Sequence, residues 1–120
     1  MTTQELYLSL GANYEEAKTR LMNDGLIERF LGKFADTYST EPLLEAGERM
    51  DAFAIFEAAH GLKGVVGNLA LTRLFELSSN LTEKVRGLAQ GERIDCRDDI
   101  AAIQVEFTKT VATIKEYLAK

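Results

Sequence analysis

The sequence predicts an all-α protein, an antiparallel four-helix bundle with short additional helices at its N-terminus, and three observations lead there. Apolar residues recur at spacings of three and four, with no strand-like alternation bounded by turn signals. Proline, the residue that breaks helices, occurs once, at Pro42. Residues that cap helices, such as Asn13, Asp24, Thr40, Asp51 and Asp95, stand ahead of the apolar stripes.

The elements follow in order. A short first helix covers about residues 3 to 10 and stops at Gly11. Asn13, with Glu16 three residues later, opens a second helix that turns Tyr14, Ala17 and Leu21 inward. Asn23-Asp24-Gly25 interrupts it, and Asp24 caps a longer helix carrying Leu26, Ile27, Phe30, Leu31, Phe34 and Tyr38. Thr40-Glu41-Pro42 is a further helix start, because proline near the first helical position forgoes an N–H that would have no partner there. That piece ends near Gly47 to Met50. Asp51 caps the next helix, which passes through Phe56 and His60 to about Asn68, and the brief connection that follows suits only an antiparallel hairpin. Leu71, Leu74, Ser78, Leu81, Val85 and Leu88 form the seam of the returning helix, ended by Gly91. Asp95 and Asp98 restart the chain, and Ile100, Ile103, Phe107, Val111, Ile114 and Leu118 draw a stripe to the C-terminus. Four such faces bury one another most simply as a bundle.

Composition narrows the function classes. The 120 residues fit one domain, 1–120, and 46% hydrophobic with 28% charged residues can build a core. A formal charge of -5 repels phosphate backbones and anionic membranes, so neither nucleic acid nor membrane is an expected partner. Cys96 is alone and forms no intrachain disulfide, and neither a leader nor an apolar run of about 18 residues is present, which points to a cytoplasmic location; a monomer is the expected state.

The anomaly lies around His60. Ala58-Ala59-His60-Gly61-Leu62-Lys63-Gly64-Val65-Val66-Gly67-Asn68-Leu69 has helical apolar spacing yet holds three glycines. Each glycine costs roughly 1 kcal/mol against alanine in a helix interior, and uncompensated rule-breaking tends to mark function. At about 100° per residue, Phe53, Phe56, Lys63, Gly64 and Gly67 share the side of His60. Ile55, Ala58, Ala59, Leu62, Val65, Val66 and Leu69 form the opposite, apolar face, so His60 points outward. Taken singly, a histidine or lysine on a helix is an ordinary surface residue, the phenylalanines could be core, and the glycines could serve close helix packing. Together, side-chain-free surface beside an exposed imidazole admits another protein's backbone, and the aromatics supply the centre of a docking patch.

His60-Gly61-Leu62-Lys63-Gly64 followed by Gly67-Asn68-Leu69 resembles the signature of histidine-containing phosphotransfer (HPt) domains of multistep phosphorelays. The likeness runs from the helix of Phe30 and Phe34 through Phe53 to Leu81. It departs from the family pattern at Ala70, Val65 and Val66. The resemblance implies that His60 accepts a phosphoryl group from a receiver-domain aspartate or a kinase histidine and passes it on, with Lys63 as the accompanying cation. It also implies that Thr82 stands where many members place a glutamine that orients the imidazole, and that Arg86 resembles a basic position near the phosphate.

The chemistry is consistent with that implication. An unperturbed imidazole titrates near pH 6.5 and is a good nucleophile when neutral, and phosphoryl transfer needs mainly positioning and charge neutralisation. Lys63, one turn from His60, supplies positive charge. No cofactor is expected on this chain. Mg²⁺ and the acceptor aspartate are expected from a partner, a response-regulator receiver domain, with a sensor histidine kinase as the other candidate partner. The expectation is a phosphocarrier without autonomous kinase activity, since no G-x-x-x-x-G-K-[ST] loop is present. A kinase dimerisation helix is disfavoured by Gly61 after the histidine and the lack of a proline behind it, and a metal enzyme by the shortage of His and Cys. The serious rival is a helical adaptor that docks receivers through Phe53 and Phe56 while His60 stays chemically idle.

Overall fold

Backbone N–H groups at a helix start need acceptors, and side chains ahead of six of the helices supply them. The computed structural model describes residues 1–119, which form seven α-helices and no strand beyond an isolated bridge between Asp51 and Arg93. Helix α1 (Thr3–Ser9) starts with a reciprocal box between Thr2 and Glu5. Helix α2 (Tyr14–Leu21) is capped by Asn13, which accepts from the Glu16 N–H at 3.0 Å, while the Glu16 carboxylate accepts from Arg20. Helix α3 (Asp24–Thr37) corrects the expected cap by one residue. Asn23 accepts from the Leu26 N–H, and Asp24, in the first turn, takes the Tyr14 hydroxyl at 2.6 Å.

Helix α4 (Glu41–Arg49) has Pro42 in its first turn, but Thr40 does not cap it; the Ser39 hydroxyl accepts from the Glu41 N–H at 3.1 Å, and the Thr40 hydroxyl donates to Gln104 at 2.7 Å. Helix α5 (Ala52–Asn68) is capped by Asp51. Helix α6 (Thr72–Val85) is shorter than the sequence suggests. Arg86 is extended and Gly87, at φ +83°, turns the chain there, which leaves Leu88 in the connection rather than on the seam. Helix α7 (Arg97–Leu118) follows Asp95, whose carboxylate accepts from the Arg97 N–H.

Helices α5 and α6 form the most extensive pairing, joined at Leu69 to Leu71 with Ala70 in the left-handed region at φ +55°. Helix α6 also packs on α7, α7 on α3 and α4, and α4 on α5. The core is drawn from Ile27 and Leu31 of α3, Ile55, Leu62 and Val66 of α5, Leu74 and Leu81 of α6, and Ile103 and Ile114 of α7. The apolar stripes therefore face one another, which is what their helical spacing requires. Two details depart from those stripes. Phe30 is 44% exposed, and the buried side of α7 includes Glu106, Thr110 and Tyr117 while Phe107, Val111 and Leu118 are half-buried. Tyr7 in α1 is fully buried and its hydroxyl donates to the Leu69 carbonyl at 2.8 Å, pinning α1 to the end of α5. Among the described residues no helix is long and apolar enough to cross a membrane.

Candidate functional site

The rotation of α5 is set by its apolar face. Ile55, Ala59, Leu62 and Val66 are buried, with Ala58 and Val65 half-buried beside them, so residues on the other side must face outward. His60 is exposed there, as its position on the helix demands. No hydrogen bond engages either ring nitrogen among the described residues; the ring instead lies flat against Phe56, with centroids 5.6 Å apart and planes 5° from parallel. Phe56 is half-buried, and the Arg86 guanidinium carbon sits 5.4 Å from its ring centre. Phe56 is thus in contact with both the imidazole and the guanidinium.

Arg86 is itself held. Its Nε and Nη2 donate to the two carboxylate oxygens of Glu83 at 2.8 and 3.0 Å, a bidentate fork one turn along α6. Hydrogen bonding from Arg86 pushes the Glu83 carboxyl below its ordinary range, and Lys63 adds a smaller pull in the same direction. The same contact pushes the Arg86 guanidinium up. Glu83 is therefore a carboxylate among the cations near His60, a residue that the sequence reading did not single out.

Lys63 is half-buried, with Nζ 6.0 Å from the ring centre of Phe75. Phe75, 36% exposed, was also missed. A signal was available: Leu74 occupies the seam of α6, so an aromatic immediately after it falls off that seam. The glycines divide. At Gly61 and Gly64 a β-carbon would meet nothing within 4 Å, so both leave open surface. At Gly67 a β-carbon would lie 3.1 Å from Cδ1 and Cε1 of Phe75. Gly67 is thus no bare docking surface; its missing side chain lets the Phe75 ring lie close against α5.

Thr82 needs the larger correction. It is fully buried, and its hydroxyl donates to the Ser78 carbonyl at 2.7 Å, as the Ser78 hydroxyl does to the Leu74 carbonyl at 2.6 Å. Short hydroxyl side chains in a helix commonly bond back to the carbonyl four residues earlier, and that bond takes the one proton Thr82 has to donate. Phe53, at 39% exposure, stands on the outward side of α5 as the helical spacing requires. The predicted residues brought together are therefore Phe56, His60 and Arg86, with Lys63 coupled to Glu83, and Phe53 and Gly64 on the same side of the helix.

The described residues hold no group of three or more His, Cys, Asp and Glu side chains placed to bind a metal. What the arrangement offers is an accessible imidazole with unengaged nitrogens stacked on Phe56, with Lys63 one helical turn along α5 and Arg86 reaching the same Phe56 ring from the end of α6. Such a set can carry a transferred anionic group on nitrogen. Compared with protein-family models, curated proteins and solved structures, the chain matches none.

Proposed function

We propose that the chain is a histidine phosphotransfer carrier, with α3, α5, α6 and α7 as an antiparallel four-helix bundle that displays His60. The observation that supports this best is the exposed His60 ring, free of hydrogen bonds, beside the open backbone of Gly64. In the transfer step an imidazole nitrogen attacks the phosphorus of an aspartyl phosphate on a receiver domain. The N–P bond forms as the bond from phosphorus to the carboxylate oxygen breaks, and the carboxylate leaves with that electron pair. Reversal passes the phosphoryl group on. Lys63, and Arg86 once drawn from Glu83, neutralise the phosphoryl oxygens, and Mg²⁺ belongs to the receiver's own aspartate site. Phe53 and the Gly64 surface make the docking contact.

Incubating the protein with a phosphorylated receiver and Mg²⁺ tests this. Acid-labile label should appear on the chain and vanish in His60→Gln, whose fold should persist because the side chain is exposed and makes no hydrogen bond among the described residues. Exposed Phe53 and Phe75 favour a second reading, an adaptor that binds receivers without chemistry. Stable receiver binding with no transferred label would select the adaptor and reject the carrier.

A further inference from the structure

On another side of the molecule, α2, α3 and the end of α5 enclose a cleft of about 540 Å³. Val65, one of its walls, stands about 140° round α5 from His60, so the cleft is separate from the site above. Its walls are apolar: Phe34 and Tyr38 from α3, Val65 and Leu69 from the end of α5. Phe30, which the apolar stripe of α3 would have placed in the core, stands exposed along it. The volume falls within the roughly 300–1,000 Å³ range of small-molecule sites, which are mostly apolar with a few polar groups to fix orientation.

Charge narrows what fits. The chain carries a net charge of -5, yet among the described residues the only charged ones lining this cleft are Arg20 and Lys33. Arg20 is paired with Glu16 at 3.1 Å, whereas Lys33 makes no ion pair among the described residues. One uncommitted positive charge over an apolar trough calls for one negative charge on an apolar body. Tyr38 adds a neutral donor, because burial pushes its hydroxyl pKa up and keeps it protonated. The other large cleft, of about 570 Å³ between Leu44 and Ala101, provides a contrast. It is lined by Glu48 and Asp95, and Arg97, its one cation among the described residues, is already held by Asp95 at 2.8 Å.

We propose that this cleft binds a small monocarboxylate with an apolar tail, its chain between Phe34, Tyr38, Val65 and Leu69 and its carboxylate at Lys33. The experiment is calorimetric titration of the intact protein with decanoate below micelle-forming concentrations, with decyltrimethylammonium and acetate as comparators. Decanoate should bind saturably at one per chain, the cation of equal tail length at least tenfold more weakly, and acetate, which lacks the tail, more weakly still. Lys33→Glu should weaken decanoate at least tenfold, and Lys33→Arg should restore it. Amide shifts on titration should centre on Tyr38, Val65 and Leu69. Unsaturable binding, equal affinity for the cation or for acetate, shifts centred on the Leu44–Ala101 cleft, or an unchanged Lys33→Glu affinity would each overturn the proposal. None of these readouts involves phosphate, so they stand or fall apart from the role of His60.

Discussion

Gly64→Gln should raise stability and impair phosphoryl transfer at once, an unusual pairing that isolates the role of bare backbone. Glycine in a helix interior is about 0.8–1.0 kcal/mol worse than alanine, and glutamine lies within a few tenths of alanine, so the exchange gains about 0.5–0.8 kcal/mol. No atom stands within 4 Å of a β-carbon at this position, so no clash offsets the gain. An unfolding entropy of about 2.1 cal/mol/K per residue gives about 0.25 kcal/mol/K for this chain, which converts the gain into a rise of about 2–3 °C in Tm. The new side chain would project one turn from His60, where a receiver's backbone must approach, and transfer should fall at least about tenfold, a loss of about 1.4 kcal/mol in transition-state stabilisation. Gly61→Gln is the matched control. It has the same open surroundings and the same helical gain, but lies about 100° round the helix from His60. Calorimetry and a quenched transfer assay on both variants decide the matter. The docking argument is refuted if the two variants transfer at equal rates, and the helix argument if Gly64→Gln melts below the parent.

Four further outcomes are expected. Tyr7→Phe leaves the Leu69 carbonyl without its buried donor and should cost about 1–2 kcal/mol in denaturant unfolding, with transfer unchanged. Glu83→Gln removes the carboxylate that holds Arg86, so the phosphorylated protein should lose its label about two- to fivefold more slowly; faster loss would contradict the placement of Arg86 as a phosphate partner. Phe56→Leu removes the surface on which the imidazole stacks, and should lower the maximal transfer rate several-fold while the receiver concentration at half-maximal rate stays constant; a rise in that concentration would make Phe56 a docking residue instead. Hydrogen bonds from Arg97 hold the Asp95 carboxyl at about 2, below its ordinary 3.8. A carboxyl lowered by folding stabilises the folded state above its unfolded pKa, so the Tm difference between parent and Asp95→Asn should be complete above about pH 4 and vanish as pH falls towards 2.

The helices were legible because each carries its own pattern: Asn13, Asp51 and the stripe of Ile55, Leu62 and Val66 declare their starts and buried faces locally. The errors arise where two local signals compete. Asn23 and Asp24 are both good caps, and only the contact from Tyr14, ten residues earlier, shows that Asp24 is otherwise engaged. Gly87 and Gly91 both end helices well, and both adopt positive φ, but the first one reached terminates α6. The outward direction of His60 followed from periodicity alone, since a buried face on one side of a helix fixes the other. Partners across the helix pair did not follow. That Phe75 covers Gly67, that Glu83 holds Arg86, and that Thr82 turns to its own backbone depend on the register between α5 and α6 and on side-chain rotamers, neither of which is encoded in single-helix spacing.

The loss of Thr82 as an orienting group changes how the imidazole must be held. A neutral hydrogen bond to a ring nitrogen contributes about 1 kcal/mol and selects one tautomer, because the bonded nitrogen is assigned a fixed role. A stacked aromatic pair contributes about 0.5–1.5 kcal/mol, a comparable restraint on the ring's rotation, yet it engages the π-face and leaves both nitrogens open. In this chain the restraint is of the second kind, and it has a brace: Arg86 lies over Phe56 and is pinned by Glu83. The same guanidinium has the bidentate geometry that suits phosphate, so in the proposed carrier a phosphoryl group on His60 would compete with Glu83 for it. Drawing Arg86 to the phosphate would loosen the hold on Phe56 as the charge is neutralised. On that proposal ring orientation and charge stabilisation would be coupled through one side chain, and the unphosphorylated protein, with Arg86 on Glu83, would hold the imidazole best for attack.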